Sequence, residues 1–227
     1  MPNSNIFIII PAYNEAQSIC AVIEALLNLY PNVVVVDDAS NDGTATLAGQ
    51  YPVSVLRHVV NRGQGAALQT GIDYALAHKA DIIVTFDADG QHEVNDIEGL
   101  LAPILAGECD ITLGSRFLGQ AYNIPLMRKY LLKTGILFTR IFSGIRITDV
   151  HNGIRAISRK AALSIQIKMD RMGHASEILD QIARAGLRVR EVPVNVYYTD
   201  YSLKKGQNSW NIFKVAAEIM LNKAGGR

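Results

Sequence analysis

The sequence predicts an α/β fold built on a mainly parallel sheet with helices on both faces. Three observations carry that expectation. Short β-branched runs alternate with amphipathic stretches, each run is apolar at consecutive positions, and polar or acidic residues follow each run. Strands buried on both faces read as continuous apolar runs, and the crossover helices between them supply the cover.

The first run, IFIII (6–10), stops at PAYNE (11–15) and leads into an amphipathic stretch near 15–28. VVVVD (33–37) ends in DDAS (37–40), before a helical pattern at 42–50. VSVLR (53–57) precedes HVVNRGQG (58–65), where Gly63 and Gly65 permit a tight turn into a helix over 64–78. DIIVTF (81–86) ends in DADG (87–90), with a helix expected near 94–106, and DITLG (110–114) is followed by SRF (115–117). Ligands of open α/β sheets bind beyond the carboxyl ends of the strands. PAYNE, DDAS and DADG are therefore expected as three acidic clusters along one sheet edge. Each alone is commonly a solvated loop or helix cap, but three at one edge favour a site.

After residue 120 the alternation changes. The segment 124–145 mixes apolar residues with Arg128, Lys129, Lys133 and Arg140, and TDVHNGIRAISR (148–159) follows. A helix is expected near 174–185, a strand near 187–196 and an amphipathic helix over 209–223. No repeat, low-complexity tract or linker divides the chain, so a single domain over 1–227 is expected.

Composition excludes several classes. The chain has 227 residues, half of them hydrophobic, with 22 basic against 21 acidic side chains. A balanced charge gives no basis for general nucleic-acid binding. Cys20 and Cys109 have neither CxxC spacing nor a disulfide framework, which points to buried thiols in a reducing compartment. No basic leader precedes an apolar segment, and no window holds about 18 uninterrupted apolar residues. The chain reads as cytoplasmic and not membrane-spanning.

FDADGQH (86–92) carries the chemistry. If 87–89 stays extended, Asp87 and Asp89 share one face with α-carbons roughly 7 Å apart. Such a pair suits Mg2+ or Mn2+, since magnesium commonly binds through one or two carboxylates plus substrate phosphates. His92 could add a nitrogen ligand, although a helix-start histidine with no metal role is commoner. A calcium loop would need its glycine six residues in, where Gly90 is the fourth. An aspartyl-phosphatase reading, with Asp87 as nucleophile, would expect threonine where Gln91 stands. GQGAAL (63–68) lacks the third glycine of a dinucleotide fingerprint, and no P-loop pattern occurs.

The ordered set PAYNE, VVVVDDAS, NRGQGAAL, FDADGQ and GSR resembles the family 2 nucleotide-sugar glycosyltransferases with the GT-A fold. Within them it is similar to the polyprenyl-phosphate glycosyltransferases of the dolichol-phosphate mannose synthase type. The resemblance covers roughly 5–195 and implies a mainly parallel mixed sheet, with a nucleotide-sugar-binding half at about 1–118 and an acceptor-side half at about 119–227. It implies that Pro11, Tyr13, Glu15, Val36 and Asp38 hold base and ribose, and that Asp87, Ala88 and Asp89 meet ribose and diphosphate. Asp87, Asp89 and Gln91 would surround the metal, and Arg116 would contact phosphate. A cation there would reverse the negative sign of the pair and stabilise the departing nucleoside diphosphate.

The family inverts at the anomeric carbon. A lipid-phosphate acceptor needs no general base, whereas a sugar hydroxyl needs a carboxylate such as Glu177, in MGHASEIL (172–179), unless that side chain is only a helix-surface charge. TDVHNGIRAISR and EVPV (191–194) resemble the lipid-phosphate group. Arg128 and Arg155 are candidate acceptor contacts, with Arg155 alternatively an ion-pair partner of Asp149. Many relatives carry an arginine followed by GxSK after EVPV, whereas this chain offers Lys204 or Lys205. Relatives also often have membrane spans, so contact with the inner face of the membrane through 124–145, a small membrane partner or a homodimer is expected instead.

Overall fold

The computed structural model describes residues 4–124, 147–150, 152–170 and 173–198. Its frame is one seven-stranded sheet. β1 (Ile6–Ala12) pairs in parallel with β2 (Asn32–Asp37) and with β4 (Ile82–Thr85), and β3 (Ser54–Arg57) adds to β2 in parallel. On the other side β6 (Arg155–Ser158) runs antiparallel between β4 and β5 (Ile111–Tyr122), and β7 (Val189–Tyr197) closes the edge parallel to β5. The order is β3-β2-β1-β4-β6-β5-β7.

Consecutive apolar residues serve opposite faces, as the period of two requires. Ile8, Ile10, Val33, Val35, Ile82 and Val84 enter one core, under α1 (Ile19–Leu27) and α4 (Asp96–Leu105). Phe7, Ile9, Val34, Val36 and Ile83 enter the other, under α3 (Gln64–Ala77) and α6 (His174–Arg184). The short helices α2 (Thr44–Ala48) and α5 (Arg159–Ser164) complete the described set.

The structure corrects three boundaries. The stretch after PAYNE becomes helical only at Ile19, because backbone amides of Asn14, Glu15 and Ala16 are held by side chains of Ser40, Thr44 and Asp42. SRF does not follow β5 but lies inside it, since the strand runs to Tyr122 with an irregular register between Ser115 and Gln120. His92 does not start a helix: it forms an isolated bridge with Val196, and α4 opens at Asp96. RAIS (155–158), taken in the sequence only as part of a motif, is an interior strand. Among the described residues no helix is long and apolar enough to cross a membrane. The basic segment from 125 to 145, Arg128, Lys204, Lys205 and the 209–223 helix lie outside the described residues.

Candidate active site

Parallel pairing brings the ends of β1, β2 and β4 to the same sheet edge, and the three acidic clusters meet there. The loop after β1 is laced to the loop after β2. Ser40 Oγ accepts from the Asn14 amide at 2.9 Å, Asn14 Oδ1 accepts from the Asn41 amide at 2.9 Å, and Thr44 Oγ1 accepts from the Glu15 amide at 2.8 Å. Tyr13, in the same loop, is 43% exposed. Pro11 and Val36 are buried partners in the β1–β2 register, with the Val36 side chain in the core, so only its backbone can face a ligand.

Asp38, expected near base and ribose, uses both carboxylate oxygens internally. Oδ1 accepts from the Arg62 amide at 2.9 Å and contacts His58 Nδ1 at 2.7 Å, while Oδ2 accepts from the Gly63 amide at 2.6 Å. His58 reaches on to Thr70 of α3 at 3.0 Å. These contacts fold residues 58–63 back to open α3 at Gln64, and Gly63 makes the turn at φ +99°, a region favouring glycine.

Gln64 then reaches Asp87. Its Nε2 donates to Asp87 Oδ1 at 3.1 Å, and His92 Nε2 lies 3.3 Å from Oδ2. The third side of the carboxylate faces Gly153, where an added Cβ would sit 2.0 Å from Oδ2. Thr85 Oγ1 donates to the Gly153 carbonyl at 2.6 Å, fastening that backbone to the end of β4. Burial pushes the Asp87 pKa up, but the His92 hydrogen bond and the charges of His92, Arg155 and His174 outweigh it and hold the carboxyl below its ordinary value.

Asp89 behaves oppositely. Burial and the neighbouring charge of Asp87, with a smaller push from Glu15, raise it to about 6. Its hydrogen-bond partner is Gln91, through the amide at 3.1 Å and Nε2 at 2.7 Å. Ala88 between them is buried.

Arg116 is 7% exposed and already paired. Its Nε donates to Asp149 Oδ2 at 2.6 Å and its Nη1 to Tyr198 Oη. Burial acts against the guanidinium charge, yet Asp149 and Tyr198 keep its pKa above the ordinary value. Asp149, weighed as the alternative partner of Arg155, is paired with Arg116 instead. Arg155, 4% exposed, has its pKa lowered by burial against the opposing charges of Asp87 and Asp149, and its Nη1 lacks a hydrogen-bond partner. Glu177 stands in the first turn of α6 with both oxygens engaged: the Lys168 amide donates at 3.1 and 3.0 Å and the Met169 amide at 2.8 Å.

Sequence reasoning missed Gln64 and Gly153, and weighed His92 only as a metal ligand or a helix-start residue. Only the glycines of GQGAAL drew notice, and nothing in the chain order signals that NG (152–153) returns to the end of β4.

Among the described residues no group of three or more His, Cys, Asp or Glu side chains could hold a metal ion. The donor set does fit a hard cation sharing its shell with substrate phosphates: two adjacent carboxylates, one crowded by like charge, are what such an ion would relieve.

The pattern of glycosyl transferase family 2 matches residues 7–165. A UDP-N-acetylglucosamine–dolichyl-phosphate N-acetylglucosaminyltransferase of Methanococcus voltae is 34% identical, over 99% of this chain and 98% of its own. A polyprenol monophosphomannose synthase of Mycolicibacterium smegmatis is 33% identical, over 95% and 87%. An uncharacterised protein of Methanocaldococcus jannaschii is 40% identical, over 96% and 92%. In fold, the chain resembles glucosyl-3-phosphoglycerate synthase from Mycobacterium tuberculosis in complex with Mg2+ and uridine diphosphate, with TM-score 0.71, 20% identity and coverage of 95% and 79%.

Proposed function

The chain belongs to glycosyl transferase family 2 and has the GT-A fold, and from that premise we propose that it transfers a sugar, with inversion and with the help of Mg2+ or Mn2+, from a nucleotide-diphosphate sugar to a polyprenyl phosphate. Full-length similarity to enzymes named for dolichyl-phosphate and polyprenol acceptors supports the lipid phosphate. The structural observation that carries the choice is Glu177. A hydroxyl acceptor requires a base within hydrogen-bond reach, and the carboxylate expected to serve is tied to the Lys168 and Met169 amides. A phosphate acceptor is already anionic and needs none.

In this reading Tyr13 offers its exposed face to the base, with Pro11, Glu15 and the Val36 backbone beside it. Asp38 builds the adjoining loop. Asp87 and Ala88 face the ribose and diphosphate. Asp89, with Gln91 fixing its orientation, and with Asp87 adjacent, would hold the cation, whose charge stabilises the leaving diphosphate. Arg116 supplies positive charge beside the phosphates while Asp149 and Tyr198 keep it in place, and Lys205 is assigned to the diphosphate by sequence alone. Arg155 and Arg128 are assigned to the acceptor phosphate. The aspartyl-phosphatase alternative loses its ground, since the family is one of glycosyl transfer.

The test is a panel of nucleotide sugars with Mg2+ or Mn2+ and a short polyprenyl phosphate, scored by mass spectrometry for lipid-linked sugar and free nucleotide. Lipid-linked product that persists in Glu177→Gln is expected. Product only with saccharide acceptors, lost in that variant, would favour the hydroxyl-acceptor chemistry. Peripheral membrane contact is proposed with the same acceptor, and absence of liposome flotation, with or without a candidate membrane partner, would remove it.

A further inference from the structure

Three different parts of the chain approach the Asp87 carboxyl group. Gln64, first residue of α3, approaches Oδ1. His92 approaches Oδ2 from the segment bridged to β7, with its side chain 4% exposed and its ring in edge contact with Phe86 at 5.9 Å. Gly153 lies against the same carboxyl group, and the Asp87 side chain stays 25% exposed. His92 Nδ1 is buried without a hydrogen-bond partner among the described residues, so the ring directs its hydrogen bonding at Asp87 through Nε2.

We infer that Gln64 and His92 are positioning residues that hold the Asp87 carboxylate in the orientation needed by the nucleotide-sugar donor. The inference rests on the reading above that Asp87 faces that donor. The physical reason is directional. A carboxylate at a strand end rotates about two side-chain bonds, and two donors on different oxygens leave one orientation. Outer partners of a ligating group are typically worth about 10–100-fold in affinity or activity. The Gln64 donor itself depends on Asp38, because the Arg62 and Gly63 amides held there set where α3 begins.

The test separates positioning from mere support of the helix. Gln64→Glu keeps the shape and adds an acid to the first turn of α3, where negative charge favours a helix, but it turns a donor toward Asp87 into an acceptor. Titration calorimetry of the full chain with uridine and guanosine diphosphates and diphosphate sugars, in Mn2+, should show donor affinity falling about 10-fold or more in Gln64→Glu and less in Gln64→Ala, while the circular dichroism of both variants stays that of the wild type. His92→Gln, which presents an amide near the place of Nε2, should retain more affinity than His92→Leu. In turnover the loss should fall on the KM for donor before kcat. Wild-type binding with both Gln64 variants and His92→Leu unchanged would overturn the inference and leave the proposed function standing. No nucleotide binding or turnover by the wild type across the panel would overturn both.

Discussion

Two carboxylate sites on opposite edges of the sheet have opposite characters. At the start of β5, Asp110 receives the Arg188 amide at 2.9 Å, its guanidinium at 3.1 Å on each oxygen, and Lys160 at 3.4 Å. These hydrogen bonds, from Arg188 above all, hold its carboxyl well below the usual carboxylate range. At the end of β4, Asp89 is pushed up to about 6 by burial and by Asp87. One edge neutralises its acid and the other crowds its acids together. A chain that can place Arg188 so well, yet leaves Asp89 beside Asp87, is using the second edge for something other than stability.

The largest contrast should come from removing each carboxylate. Asp89→Ala is expected to cut turnover about 1000-fold or more while the melting temperature holds or rises, because a crowded charge is removed. Asp110→Ala should do the reverse, lowering the melting temperature with kcat unchanged. Equal kinetic loss in both would break the contrast.

Next in size is the buried pair that links the edge to β5. Asp149→Ala leaves Arg116 buried without its carboxylate, and loss of one partner of a buried pair costs about 3–5 kcal/mol. Denaturant unfolding should show that loss, and a value near zero would mean the guanidinium finds water. Gly153→Ala should disturb Asp87 more than the fold, since the new Cβ meets the carboxylate first. Nucleotide affinity falling with little change in unfolding midpoint is the expected result.

The smallest effect is a difference in pH slope. The folded pKa of Asp110 is depressed, so its stabilising contribution is present above the ordinary carboxylate value near 4 and is lost as pH falls through the lower folded value. The folded pKa of Asp89 is raised, so without a cation its contribution is fully present below about 4 and is lost as pH rises through about 6. Melting curves of wild type against Asp110→Asn should converge toward acid. Against Asp89→Asn, in chelator, the wild type should fall behind as pH rises from 4 to 7, and added Mn2+ should narrow that gap.

The parallel half of the sheet was legible in the chain because local pattern and burial agree there. IFIII, VVVVD and DIIVT are apolar on both faces, which only a covered strand satisfies, and parallel strands with helical crossovers must bring their carboxyl ends together. The positions of PAYNE, DDAS and DADG followed from that rule. RAIS was not legible as a strand, because four residues between two loops carry little periodicity, and its place between β4 and β5 is set by pairing across long chain separations.

The sequence alone thus settles which residue types gather at the edge, since strand period and chain direction are local properties. Which of them are already taken is a property of the tertiary structure. Asp38 is taken by the loop that opens α3, Arg116 by Asp149, Glu177 by the amides of Lys168 and Met169, and Asp87 is gripped by Gln64 and His92. Hydrogen bonds act over about 3 Å, and Arg116 and Asp149 lie 33 positions apart in the chain. No spacing in the sequence encodes such a meeting, so the division between carboxylates that build the site and those that face its ligands appears only once the chain is folded.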